Sequence, residues 1–210
     1  MTPIFASMAY LDQFISALRF YFDLYPTEAS RPDFGRLQQH FQQNQSPLLA
    51  PLYEGTRAFT AHLAEQFVAG YPGEIAHACH AASAGFLKSW ELSRPDGLPA
   101  SLAMTVGSVR FKGQPVFETN RTAVASLVHA GRDPGTDLPV HVWLTLDDLT
   151  VVDLTIVPTL VRQGQLPSGT APVLYWRHDT ASDYEFEPVL VDNLFFERID
   201  SGTFTAPKRG

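Results

Sequence analysis

The hydrophobic period of this chain changes once, near Ser93, and that change narrows the folds open to it. Before Ser93, apolar residues recur at steps of three and four. Residues 8–25 set Leu11, Phe14, Ile15, Leu18, Phe22 and Tyr25 on one stripe that ends at Pro26, which is the pattern of an amphipathic helix. Residues 33–45, with Asp33 at the N-cap, put Phe34, Leu37 and Phe41 on one side of a second helix. Residues 51–69 carry Leu52, Phe59, Leu63 and Phe67 on a third, which stops at Gly70. After the turn Tyr71-Pro72-Gly73, residues 75–92 read as an Ala-rich fourth helix. Beyond Ser93 strands dominate: 101–111 and 115–119 around a turn at Gly113, then 140–146, 151–157 and 172–176. Residues 185–199 read as strand or strand–loop mixture, 121–130 as a short helix, and 132–139 as a loop forced by Pro134, Gly135 and Pro139. Helices followed by strands predict an α+β fold. Its N-terminal helical part, residues 1–70, packs on an α+β core with an antiparallel sheet, residues 71–210.

Composition excludes several function classes. The 22 acidic residues outnumber 15 basic ones, for a formal charge of -7. Nucleic-acid binders need clustered Lys and Arg, so no nucleic-acid partner is expected. No apolar run reaches the roughly 20 residues of a membrane span, so no membrane partner is expected either. The opening Met-Thr-Pro-Ile-Phe-Ala-Ser-Met lacks the basic start and long apolar core of a secretory signal. The expected location is cytoplasmic, with a secreted effector lacking a standard signal left open. Cys79 is the single cysteine, so no intrachain disulfide can form. A lone cysteine is either packing or chemistry.

The best-determined local geometry is in residues 141–156. Val142, Leu144 and Leu146 alternate with His141, Trp143 and Thr145. Val152, Leu154 and Ile156 alternate with Val151, Asp153 and Thr155. Each strand therefore has one aliphatic and one mixed face. A two-residue loop at Asp148-Leu149 would set Asp153 opposite Leu144 and bury a carboxylate on the aliphatic face, which is costly. A three-residue loop at Asp147-Asp148-Leu149 instead pairs 146 with 150. The aliphatic rows then coincide, and His141 and Asp153 share one face as diagonal neighbours, about 7–8 Å apart at the backbone. Hydrophobic matching alone thus selects the register that joins an imidazole to a carboxylate. The bland alternative is a wet outer face on which His141 and Asp153 have no special task.

Cys79 falls in the first turn of the fourth expected helix. Unpaired N–H groups and the helix dipole there favour a thiolate, which with an imidazole nearby is a strong nucleophile. The small residues Ala81, Ala82, Ser83, Ala84 and Gly85 let that helix lie close to a sheet. If it packs on the mixed face of the hairpin, a Cys79–His141–Asp153 triad results, in which Asp153 fixes the imidazole tautomer. The alternative is a buried packing cysteine on an Ala-rich core helix. Trp143 either walls a substrate cleft beside His141 or packs across the strands. Phe195 and Phe196 read as a sheet edge or core strand, and Ser83 as a packing or capping residue. His77, Cys79 and His80 are close in sequence, but no second ligand pair has metal-like spacing, so no metal and no cofactor are expected.

Three stretches together resemble the transglutaminase-like branch of papain-fold cysteine enzymes: Cys79-His80-Ala81-Ala82-Ser83, His141-Val142-Trp143-Leu144 and Val151-Val152-Asp153-Leu154-Thr155. The order Cys, His, Asp is that family's order, and the resemblance covers roughly residues 70–160. It implies Cys79 as nucleophile, His141 as general base and acid, and Asp153 as the group that orients His141. It also implies a papain-like core and acyl transfer or hydrolysis on an amide or thioester of a protein, a peptide or a small amide. Peptidase, amidase, deamidase and transglutaminase outcomes all fit, as does an arylamine-type acetyltransferase. The sequence departs from the family's better-known members beside Cys79, where His80 and Ala78 replace the usual glycine or aromatic residue. Gln66 lies too far upstream to be assigned as an oxyanion donor, which leaves the Cys79 backbone N–H for that task. A non-catalytic interaction module that keeps the fold is the reading from another class.

Overall fold

A computed structural model describes residues 4–28, 30–96, 98, 100–131, 138 and 140–201, with the side chains of 4–9 and 201 left aside. The N-terminal half is helical, as the period of its apolar residues dictates: α1 (Ile4–Leu24), α2 (Phe34–Asn44), α3 (Ala50–Ala69) and α4 (Cys79–Ser93). Asp33 caps α2 by accepting from the N–H groups of Gly35 and Arg36. Gly70 closes α3 by donating to Gln66 O. The fourth helix was expected from residue 75 and begins only at Cys79. His77 takes a left-handed φ of 64° and donates its N–H to Thr159 Oγ1, so helical backbone cannot run through it.

Then come β1 (Leu102–Phe111), β2 (Gln114–Phe117), α5 (Arg121–Ala130), β3 (His141–Leu146) and β4 (Val151–Asp153). The chain ends its described part with α6 (Ile156–Arg162), β5 (Leu174–Trp176), β6 (Tyr184–Val191) and α7 (Phe195–Ser201). The protein is thus α+β, with seven helices and a six-stranded antiparallel sheet among the described residues. Two expectations are corrected. The strand expected over 151–157 stops at Asp153, and Ile156 opens α6 because Asp153 accepts the N–H groups at that helix's start. Phe195 and Phe196 lie on α7 rather than on a strand, where Phe195 is buried in the core. The Asp192 carboxylate turns the chain there by accepting from Leu194 N. The loop expected over 132–139 lies, except for Leu138, outside the described residues.

β1 is the centre of the sheet. Its residues 105–107 pair with both β3 and β6, so those strands lie on opposite edges of it. Residues 109–111 pair with both β2 and β6, so β2 continues the line of β3 along the same edge. Period-two alternation then sorts side chains onto two faces. One face carries Leu102, Met104, Val106, Val142, Leu144, Leu146 and Leu190, packed against α3, α4 and α5. The other carries Val109, Phe111, Trp143, Val151, Trp176 and Phe186, packed against α1, α2 and α6. Neither face is wet, so the mixed face of the hairpin is no solvent surface: every residue of β3 and β4 is buried. The N-terminal helices supply side chains to both cores.

The second face is strongly curved. β5 and β6 are four strand positions apart, a separation of about 19 Å in a flat sheet. Yet the rings of Trp176 and Phe186 are 5.3 Å apart between centroids. Coiling of the sheet brings its two edges together around Trp143, whose ring lies 5.1 Å from that of Phe186. No helix among the described residues is long and apolar enough to cross a membrane.

Candidate active site

The observed hairpin register is the one that hydrophobic matching selects. Leu144 faces Val152 and Thr145 faces Val151, across the loop Asp147-Asp148-Leu149. Leu149 takes φ 64°, its N–H donates to Leu146 O at 2.8 Å, and Leu146 N–H donates to Thr150 O at 2.9 Å. His141 and Asp153 therefore share a face, and His141 Nε2 lies 2.5 Å from Asp153 Oδ2. A carboxylate only accepts, so Nε2 carries the proton. Asp153 Oδ1 accepts from Thr155 N and Ile156 N, each at 2.9 Å, and from Thr155 Oγ1 at 3.3 Å. Both side chains are fully buried.

The imidazole is held between two rings. Trp143, two residues along β3, has its ring centroid 6.1 Å away at 28°. Phe117 covers it at 4.5 Å and 18°. Strand register explains this cover. His141 pairs with Gly107 and Phe117 pairs with Val109, so the two residues follow one another along one edge of β1 and on one face. Gly107 is required at this crossing. A Cβ there would lie 2.2 Å from Glu187 O and 2.6 Å from the Trp143 ring. Trp143 is itself buried and donates its Nε1–H to Tyr10 OH at 3.2 Å, with Tyr10 OH 3.3 Å from Thr145 Oγ1.

Cys79 is the first residue of α4 and is 5% exposed. Its thiol donates to Val140 O at 3.7 Å, one residue before His141. The route differs from the expected one. α4 packs on the aliphatic face, with Ser83 Oγ donating to Val142 O and Ala82, Phe86 and Trp90 in the same core as Val142 and Leu144. Only the tip of the helix comes to the start of β3, where Cys79 meets the Val140 carbonyl next to His141. A hydrophobic pattern fixes which residues share a strand face but not which helix covers that face.

The electrostatics couple the three groups. Burial pushes the Cys79 thiol up, but the favourable interaction of the thiolate with His141 and then with His80 outweighs it and holds the thiol down at about 7. Burial disfavours a charged His141, but the Asp153 charge and hydrogen bond, with a contribution from Cys79, hold it up at about 10. Between those values a Cys79 thiolate beside a His141 imidazolium is favoured, and the two titrations belong to the pair rather than to single residues. Among the described residues His141 Nδ1 is buried without a hydrogen-bond partner. Burying an unpaired polar nitrogen costs about 1–3 kcal/mol, and this one is the imidazole atom free for proton transfer.

Sequence reasoning missed Phe117 and Tyr10 as parts of the site, and it took His80 as a metal-ligand candidate and as a departure from the family pattern, not as a group acting on the Cys79 thiol. Phe117 could have been found only from the β1 register, which places it in line with His141. Tyr10 lies in the first helix, where nothing in the apolar pattern singles it out. His80 stacks on Phe196, with centroids 4.9 Å apart at 26°. The Gln66 side chain pairs with His62 at 3.1 Å on the exposed side of α3. Among the described residues no three His, Cys, Asp or Glu side chains form a set that could hold a metal ion. No family model matches the chain, and neither a curated protein nor a solved structure matches it.

Proposed function

We propose that the chain is a thiol-dependent acyl-transfer enzyme acting on an amide or thioester, with a papain-like or transglutaminase-like arrangement of Cys79, His141 and Asp153. The observation that carries this reading is the buried Asp153–His141 hydrogen bond. It leaves Nδ1 unpartnered at the strand end that the Cys79 helix tip reaches. A carboxylate and an imidazole beside a thiol held near 7 are the parts of an activated nucleophile.

In this mechanism the Cys79 thiolate attacks the carbonyl carbon and forms a C–S bond. The oxyanion accepts a hydrogen bond from Cys79 N–H, which as the first amide of α4 has no intrahelical acceptor and no side-chain cap from Ala78. The His141 imidazolium gives its Nδ1 proton to the departing amine or thiol as the carbonyl bond to that group breaks. Water or an amine then attacks the thioester, His141 takes its proton, and the sulfur leaves as thiolate. Asp153 keeps its proton-free form throughout and holds the ring in place.

The test is covalent. Incubation with a panel of peptide amides and acyl thioesters is expected to leave an acyl group on Cys79, detected by intact mass and peptide mapping. The His141→Ala chain is expected to accumulate at least about 100-fold less adduct in the same time. Equal labelling of the two chains would overturn the mechanism.

The non-catalytic module has one observation in its favour: His141 and Asp153 are 0% exposed and Cys79 5%. An unlabelled Cys79 across the whole panel, in a chain whose site had been opened, would establish that second reading.

A further inference from the structure

His141 and Asp153 are fully buried, and the two rings against the imidazole show where a way in could open. Of the two rings against His141, Trp143 is completely buried and tied to Tyr10, whereas Phe117 is only half-buried. Phe117 is also the last residue of the shortest, most exposed part of the β1 edge. β2 has four residues, of which Gln114 and Pro115 are exposed, and three of the four pair with β1 across a register irregularity. Pro115 has no N–H to give to the ladder. Beyond Phe117 the strand is fastened by Ser108 Oγ, which accepts from Thr119 N at 3.0 Å and donates to Thr119 O at 3.1 Å, and by a long, exposed ion pair between Glu118 and Arg110 at 4.0 Å.

β2 sits where an added strand would sit. It lies on the edge of β1 that β3 occupies further along, and it presents an aromatic side chain to the imidazole. An extended peptide pairing with residues 109–111 of β1 would take the same hydrogen bonds and bring one of its side chains to the same place.

Resting on the acyl-transfer reading, we propose that β2 is an autoinhibitory strap, an internal stand-in for the substrate. The substrate is then an extended peptide that displaces β2, pairs with the edge of β1 and sets an aromatic or large apolar residue where Phe117 lies. A strap tied into its own chain competes at an effective concentration of about millimolar, so the free enzyme stays closed until a substrate or partner displaces it.

The experiment measures alkylation of Cys79 by iodoacetamide at fixed pH, in the native chain, in Phe117→Ala and in Ser108→Ala. Circular dichroism confirms that each variant is folded. Phe117→Ala is expected to be alkylated about tenfold faster than the native chain or more, and Ser108→Ala, which only loosens the fastening, to change in the same direction. A synthetic peptide of residues 113–120, Gly-Gln-Pro-Val-Phe-Glu-Thr-Asn, at millimolar concentration is expected to slow alkylation of Phe117→Ala about threefold or more, and its scrambled form to have no effect. Native rates in both folded variants, or no protection by the peptide, would overturn the proposal. Failure of the acyl-transfer reading would look different: the variants would still open, but the pH dependence of alkylation would follow an ordinary thiol.

Discussion

Replacing Asp153 by alanine should cost about 3–5 kcal/mol of folding stability, because it removes one partner of a fully buried charged pair. The His141 ring loses the carboxylate that offsets its burial. The backbone donors of Thr155 and Ile156 lose the oxygen that starts α6. Urea midpoints at neutral pH measure the loss, and a change below about 1 kcal/mol would contradict the description of the pair. Asp153→Asn separates the two tasks. It keeps an oxygen for the α6 amides and removes the charge, so it should destabilise less while still uncoupling His141. The pH dependence has a definite sign. His141 in the folded chain is held up at about 10, above the ordinary imidazole value. The stability this contributes is therefore fully present below about 6.5 and fades as pH rises through about 10. In Asp153→Asn that alkaline fade should flatten.

The second large effect falls on activity rather than stability. Cys79→Ala should reduce turnover on any substrate found by the labelling panel by about 10⁴-fold or more, since no other group can form the thioester. Alanine suits the first position of a helix, and the hydrogen bond lost among the described residues is a weak one from the thiol to Val140 O. Its stability should stay within about 1 kcal/mol of the native chain. Retained turnover in a folded Cys79→Ala chain would remove Cys79 from the mechanism.

How much of this was legible in the sequence differs between elements for physical reasons. The cap at Asp33 and the stop at Gly70 were readable because caps are local chemistry. The hairpin register was readable because the two-residue loop would put Asp153 on the aliphatic face and the three-residue loop does not. α6 was misread because Thr155-Ile156-Val157 is β-branched and suits a strand by propensity. The tertiary constraint that won is the Asp153 carboxylate, which takes the first amides of the helix. Pro158, in the first turn of α6, was the available clue, since proline is tolerated there and would interrupt a strand ladder. The side of the sheet on which α4 packs, and the position of Phe117 over His141, depend on strand pairings remote in sequence. No local pattern encodes them. Both faces of the hairpin proved to be buried because α1, whose stripe alone gives no partner, covers the second face.

The most direct measurement of the central claim is the ultraviolet absorbance of the Cys79 thiolate as a function of pH, taken as the difference between the native chain and Cys79→Ala. With one cysteine in the chain, the difference reports that sulfur alone. An imidazolium braced by Asp153 predicts a thiolate signal with a midpoint near 7, shifting upward in His141→Ala. A midpoint at or above 9 in the native chain, unchanged by His141→Ala, would contradict it: Cys79 would be a buried packing thiol, and the hydrogen-bonded His141 and Asp153 would be structure without chemistry.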